Sequence, residues 1–290
     1  MNYKYSGAIL SVDELHENLN DPNLRIFDCT FYLHYEPGTG QPYRVESGRA
    51  DYEAGHIPNA GFLDLQEEFS VVDSPYRFTL LSMEATAKAF ANRGVDEKCK
   101  VILYSRENMQ RATRFWWMLR WIGFDNVAVL DGGMDKWLAD SLPVSTRACV
   151  YPTGRIEVKP RPTLFCDHHE VLNSIGQAGT CTLNALTPDL HSGADSRYGR
   201  AGHVPGSRNV PVASLLDPVT QEFLPSEDAA RVFESVGATP DKKIIVYCGG
   251  GIAATLDAFV LYQLGYKNIT VYDDSMSQWA VDKSLPIATN

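Results

Sequence analysis

Lys243-Ile244-Ile245-Val246-Tyr247-Cys248-Gly249-Gly250-Gly251-Ile252-Ala253-Ala254-Thr255-Leu256-Asp257-Ala258-Phe259 is the stretch from which the rest of the chain can be read. It opens on an apolar, β-branched run of buried-strand type and closes on a helix-like segment, with a thiol and three consecutive glycines between them. A glycine run costs conformational entropy, so it implies that the backbone curls tightly there or approaches a ligand closely. The order of strand, thiol, glycine loop and helix points a sulfur into backbone N–H groups at a helix N-terminus, where an anion is favoured. Cys248 therefore reads as a nucleophile. The blander alternative, an inert cysteine closing a strand, leaves the glycines unexplained.

Working outward, the same features appear twice. Gly55-His56-Ile57-Pro58 returns as Gly202-His203-Val204-Pro205, and Lys100-Val101-Ile102-Leu103-Tyr104-Ser105 returns as Lys243 to Cys248. Ile122-Gly123-Phe124-Asp125-Asn126-Val127 matches Leu264-Gly265-Tyr266-Lys267-Asn268-Ile269, and each block is followed by a tryptophan, Trp137 or Trp279. His56 and His203, Ser105 and Cys248, Trp137 and Trp279, Ser141 and Ser284 stand 147, 143, 142 and 143 positions apart. Near-constant spacing implies a duplication: a first domain over residues 1–145, a polar linker over 146–162 and a second domain over 163–290. Within the first half, residues 24–27, 101–104 and 127–130 read as buried parallel strands. Ser11-Val12-Asp13-Glu14 is a capping box, and helices are predicted over 83–92 and 112–121. The pattern is α/β with mostly parallel sheets flanked by helices, and ligands of such sheets bind at the carboxyl ends of strands, where Cys248 lies.

Composition narrows the function further. The 290 residues include 44% hydrophobic and 21% charged side chains and carry a formal net charge of -10, which argues against a nucleic-acid partner or an anionic membrane surface. The first residues lack the apolar core of a signal peptide and no stretch reaches membrane-spanning length, so the expected compartment is the cytoplasm. Six cysteines show no CxxC pair and no His/Cys cluster at metal spacing, so neither a metal nor another cofactor is expected.

The repeated Gly-His-Ile/Val-Pro turns, Val246 to Ala253 and the Leu130-Asp131-Gly132-Gly133 … Trp137 block together resemble the rhodanese family, in its tandem-domain thiosulfate and 3-mercaptopyruvate sulfurtransferase form. The resemblance covers nearly the whole chain. It implies two rhodanese-like domains, the second catalytic and the first a scaffold, with Ser105 standing where the second has its cysteine. It further implies that Cys248 takes sulfane sulfur from thiosulfate or 3-mercaptopyruvate as a persulfide and passes it to cyanide or a thiol, a thioredoxin-like protein among the acceptors. Amides of Gly249, Gly250, Gly251, Ile252, Ala253 and Ala254 would cradle the transferred sulfur. Arg197 and Arg200 would hold an anionic donor.

The chain also departs from that family. Gly249 and Gly250 stand where relatives carry basic or serine side chains, Gln66 aligns with an aspartate, Asn184-Ala185-Leu186 replaces Asp-Ala-Arg, Leu190 aligns with an arginine, and Ser275-Met276 replaces glycine and tryptophan. His56, His203, Asp131 and Asp273 occur in both halves and read as structural, while Asp64 and Arg111 are candidate first-domain contributions to an interdomain cleft. Trp116, Trp117 and Trp121 cannot share one helix face and are expected in buried contacts. Phosphatase chemistry on this fold would need an arginine closing the loop, and residues 252–256 supply none. A sulfur carrier charged by a partner protein, without turnover of a small donor, stays open as the second reading.

Overall fold

Alternating strands and helices assemble into two five-stranded parallel sheets of identical winding in the computed structural model, which describes residues 3–35 and 41–289. The first domain runs β1 (Ile9–Leu10), α1 (Val12–Glu17), β2 (Leu24–Asp28), β3 (Phe31–His34), β4 (Arg44–Ser47), α2 (Arg49–Ala54), β5 (Ala60–Phe62), α3 (Leu65–Glu68), α4 (Met83–Asn92), β6 (Lys100–Tyr104), α5 (Gln110–Trp121), β7 (Val127–Leu130) and α6 (Gly133–Ala139). The second runs β8 (Phe165–Cys166), α7 (His168–Ser174), β9 (Thr180–Asn184), α8 (Pro188–Ser192), β10 (Arg208–Asn209), α9 (Ser226–Ser235), β11 (Lys243–Tyr247), α10 (Ala253–Gln263), β12 (Ile269–Tyr272) and α11 (Ser275–Trp279). Strand order is β1-β7-β6-β2-β5 in one sheet and β8-β12-β11-β9-β10 in the other, element for element the same. The antiparallel hairpin β3–β4 belongs to neither sheet.

Local chemistry accounts for the elements. Ser11 and Glu14 close the capping box reciprocally, Glu14 N–H donating to Ser11 Oγ at 3.2 Å and Ser11 N–H to the Glu14 carboxylate at 2.9 Å. Strands β6 and β11 lie third in their sheets, and all but the first residue of each is buried, which is why both read as unbroken apolar runs. Residues 146–161 form neither helix nor strand and follow the first domain, Gly154 N–H donating to Ala91 O and Lys159 N–H to Ile122 O, both at 2.8 Å.

The domains meet across a local two-fold. Helices α5 and α10, which follow the equivalent strands β6 and β11, pack on each other. Thr113 Oγ1 lies 3.1 Å from Thr255 Oγ1, and the Trp116 ring meets Phe259 edge-on at 4.7 Å. Burial on every side explains the tryptophans' spacing: Trp117 Nε1–H donates to Leu164 O at 2.8 Å and Trp121 packs on Phe165. Equivalent aspartates reach across in both directions, Asp131 accepting from Phe223 N–H at 2.9 Å and Asp273 from Leu80 N–H at 2.8 Å. The N-terminal segment adds a clasp, with Tyr3 Oη donating to Leu224 O at 2.7 Å and Tyr5 stacked on Tyr262 at 4.2 Å. Among the described residues no helix is long and apolar enough to cross a membrane.

One buried group works against this fold. Asp257 on α10 is fully buried and, among the described residues, neither carboxylate oxygen meets a protein donor, so burial pushes its pKa well above the usual carboxylate range. A raised native pKa means that the folded chain holds a proton the unfolded chain releases, so stability falls as pH rises above the unfolded value near 4. Asp257→Leu should therefore raise the thermal midpoint at pH 7.5. The gain is on the order of 2 kcal/mol, roughly 4–8 °C at this size, and shrinks toward pH 4. A scan of both proteins across that range checks it, and a gain that grows on acidification would contradict the assignment.

Candidate active site

Strand β11 delivers Cys248 to the carboxyl edge of the second sheet between β9 and β12, with Val246 in register with Leu183 and Val271. The thiol-bearing residue is 2% exposed. Its amide donates to Ser275 Oγ at 3.0 Å, and Ser275 in turn donates to Tyr272 O, so the serine that departs from the family pattern anchors the base of the loop. Beyond it the carbonyls are claimed from outside the loop. Met276 N–H donates to Cys248 O at 3.0 Å, Ser277 N–H and Oγ both donate to Gly249 O at 2.8 Å, Arg114 Nη1 donates to Gly251 O at 3.1 Å, and Thr255 Oγ1 donates to Ile252 O at 2.6 Å.

Within a trans peptide unit the C=O and the following N–H point in opposite directions. Holding the carbonyls of 248, 249, 251 and 252 outward therefore turns the amides of 249, 250, 252 and 253 the other way, and among the described residues these amides meet no protein acceptor. The result is a concave nest of donors at the start of α10, suited to a sulfur that gains negative charge. Gly251 adopts φ +71°, and a β-carbon there would lie 2.5 Å from Asp273 O.

The equivalent turn of the first domain has the opposite polarity. Met134 N–H holds Ser105 O at 3.1 Å, as Met276 holds Cys248, but Ser105 Oγ donates to the Asn108 carbonyl at 2.6 Å. A carbonyl facing the hydroxyl repels an anion, so the first-domain turn is not a second copy of the nest.

A cavity of about 50 Å³ lies over the thiol at the domain interface. The second domain contributes Leu186, Tyr198, Ile252 and the loop, and the first domain contributes Phe31, Leu33, Tyr35, Tyr43, Gln110 and Arg111. Four of these six come from hairpin β3–β4 and the segment at its tip, of which residues 36–40 lie outside the described ones. Nothing in the repeat pattern flagged them, because the hairpin has no counterpart in the second half. Tyr198 Oη sits 1.9 Å from where a β-carbon of residue 249 would be, and Tyr43 Oη 3.0 Å from that of residue 250. The side chains missing after the cysteine are thus replaced in space by phenols from elsewhere. Burial pushes the pKa of Tyr198 and Tyr43 above the usual phenol value, and partial desolvation does the same for the half-exposed Tyr35, which keeps all three protonated as donors.

The sequence-predicted residues separate clearly. Arg111 lines the cavity, is 4% exposed, and has a partner-free Nε among the described residues. Arg197 is paired with Asp195 and lies 4.0 Å above the Tyr35 ring at the cavity mouth. Arg200 corrects an expectation: its guanidinium is spent on the carbonyls of Trp279, Ala280, Asp282 and Leu285 at 2.6–3.0 Å, and it does not line the cavity. Asp64 likewise caps α3 and bonds Ser47 instead of entering the cavity. His56 and His203 bond backbone carbonyls at the turns and do not line the cavity. Gln66 and Leu190 do not line the cavity, whereas Leu186 does. All six cysteines are free, and among the described residues no group of three or more His, Cys, Asp or Glu could hold a metal.

Known proteins carry the same organisation. The Rhodanese-like domain family matches residues 11–140 and 190–282. The 3-mercaptopyruvate sulfurtransferase of Escherichia coli is 30% identical over 96% of this chain and 96% of its own. The sulfur carrier protein TtuD of Thermus thermophilus is 29% identical over 99% of both. The crystal structure of the 3-mercaptopyruvate sulfotransferase SseA from Escherichia coli superposes with a TM-score of 0.79 at 29% identity, covering 92% of this chain and 97% of that one. Two matched domains, near-complete coverage and the shared fold together show that the chain belongs to the rhodanese-like family, as an enzyme of its tandem-domain sulfurtransferase branch.

Proposed function

We propose that the protein transfers sulfane sulfur through a persulfide on Cys248. The observation that carries this reading is the nest of inward amides of Gly249, Gly250, Ile252 and Ala253 around a buried thiol at a helix N-terminus. With thiosulfate, the Cys248 thiolate attacks the outer sulfur, a new S–S bond forms, and the old one breaks with its electron pair leaving on sulfite. With 3-mercaptopyruvate, the C–S bond breaks and the electron pair leaves as the enolate of pyruvate, which is then protonated. Cyanide or a thiol, that of a thioredoxin-like protein included, removes the outer sulfur in the second half-reaction and restores Cys248. Each half-reaction concentrates negative charge on the outer sulfur, where the amides stabilise it without reorganising. Six unpaired cysteines suit a reducing cytoplasm.

A second reading has its own support: the Thermus relative is named a sulfur carrier. Intact mass after brief exposure to each donor separates the two. A gain of about 32 Da, one sulfur atom, should appear, be reversed by cyanide and be absent in Cys248→Ser. Lack of any gain from small donors, in protein whose Cys248 still alkylates, would sink the enzyme reading in favour of the carrier.

A further inference from the structure

We infer that the cavity over Cys248 selects sulfur donors that combine a single negative charge with an apolar, aromatic body, and that Arg111 of the first domain is the residue that binds the charge. The inference rests on the persulfide reading and adds the class of donor to it.

Charge decides the first half of the inference. Among the described residues lining the cavity, Arg111 is the only cation. Its Nη2 already donates to Glu107 at 2.7 Å, and the Glu107 side chain is 56% exposed, so the pair keeps part of its solvation and the net charge offered inward is small. Nη1 donates to Arg106 O at 3.4 Å, and the Nε–H is buried and, among the described residues, meets no protein acceptor. The Nη hydrogen bonds to Arg106 O and Glu107, with the Phe31 ring 5.4 Å from Cζ, restrict the guanidinium, so the free donor is pre-oriented. Arg197 and Arg200 are committed elsewhere, to Asp195 and to four carbonyls. Desolvation cost rises steeply with charge, and one partly neutralised cation matches a monoanion but leaves a dianion undercompensated.

Shape decides the second half. The inner space of about 50 Å³ takes the reacting end of a donor, and the rest must lie outward against the hairpin. There Leu33 and Tyr35 form the wall. Tyr35 is 49% exposed, packed edge-on to Tyr43 at 6.2 Å and backed by Arg197. A large aromatic ring left half open at the mouth of a site is covered when a flat apolar group stacks on it.

Thiosulfonates, R–SO2–S⁻, test both halves, because all carry one charge and the same reacting sulfur. Cys248 thiolate attacks the outer sulfur, the S–S bond to the sulfonyl group breaks with its electron pair leaving on the sulfinate, and cyanide then releases thiocyanate. Atoms and charge balance without any redox partner. Rates of Cys248 loading are compared for benzenethiosulfonate, methanethiosulfonate and thiosulfate, each divided by its uncatalysed cyanolysis rate. The aromatic donor should exceed its methyl analogue in kcat/KM by about tenfold or more, as an apolar contact allows, and should exceed the dianion thiosulfate by about a hundredfold.

Arg111→Met should raise KM for both thiosulfonates by about tenfold with a smaller change in kcat, the signature of lost substrate binding, and Arg111→Lys should restore part of it. Leu186→Arg, which adds a cation to the same cavity, should move preference toward thiosulfate. Equal efficiencies for the two thiosulfonates, thiosulfate matching benzenethiosulfonate, or an unchanged KM in Arg111→Met at unaltered thermal midpoint would each overturn the inference while leaving the persulfide reading intact. Failure of every donor to add sulfur to Cys248 would overturn both.

Discussion

Gly249→Ala should lower the rate of sulfur loading onto Cys248 by about a hundredfold or more, because misplacing a preorganised site by about 1 Å is sufficient for such a loss. The added β-carbon would lie 1.9 Å from Tyr198 Oη and 2.5 Å from its Cζ, distances that no relaxation of a methyl group can absorb. Something must move. Tyr198 is 7% exposed and its ring packs edge-on to Tyr43 at 6.3 Å, which itself stacks on Phe78, so the phenol is braced on that side and can swing only into the cavity over the thiol, where it would obstruct the donor. The loop is the softer element, and its displacement breaks the double hold of Ser277 on Gly249 O. Single-turnover mass spectrometry reads the rate directly, with the thermal midpoint recorded alongside. Tyr198→Ala in the same chain removes the obstruction and should recover part of the loss, a coupling that a merely destabilised loop would not show. An undiminished rate in Gly249→Ala would mean that the tyrosine, and not the loop, gives way.

That prediction explains a departure that the sequence displayed without its cause. The glycines at 249 and 250 looked like missing functional groups, yet their positions are occupied by the hydroxyls of Tyr198 and Tyr43. Strand-loop-helix order, the duplication and helix α4 from Met83 to Asn92 were all legible, because each rests on local periodicity or on self-similarity within the chain. The wall of the cavity was not legible. Hairpin β3–β4 has no repeat partner, and its residues meet Cys248 only through contacts spanning some two hundred positions, which no spacing rule encodes. The arginines show a different limit. Arg197 and Arg200 are equivalent as sequence, and only packing reveals that one pairs with Asp195 at the mouth while the other is consumed by the segment from Trp279 to Leu285.

Arg114→Met should cost about 3–5 kcal/mol of stability, the range for removing one member of a buried ion pair, and lower the thermal midpoint by roughly 10 °C. The guanidinium is fully buried and its Nη groups donate to three separate acceptors: Gly251 O at 3.1 Å, Phe78 O at 2.9 Å and Asp273 Oδ1 at 2.6 Å. It thus ties the first domain, the last carbonyl of the triglycine run and the carboxyl end of β12 into one fork. A lysine has a single ammonium and cannot span those directions, so Arg114→Lys should recover little of the loss. The local two-fold supplies the control within the molecule. Position 256, which relates to 114 as Thr255 relates to Thr113, is leucine, and the equivalent Asp131 accepts from Phe223 N–H without an arginine. Burial there pushes its carboxyl up to about 7, the cost of leaving that side unbraced. The fork exists only where the loop holds a cysteine, so its loss should slow sulfur loading by more than global destabilisation explains. A variant that loses stability but loads Cys248 at the original rate, measured well below its midpoint, would reduce Arg114 to a domain clamp.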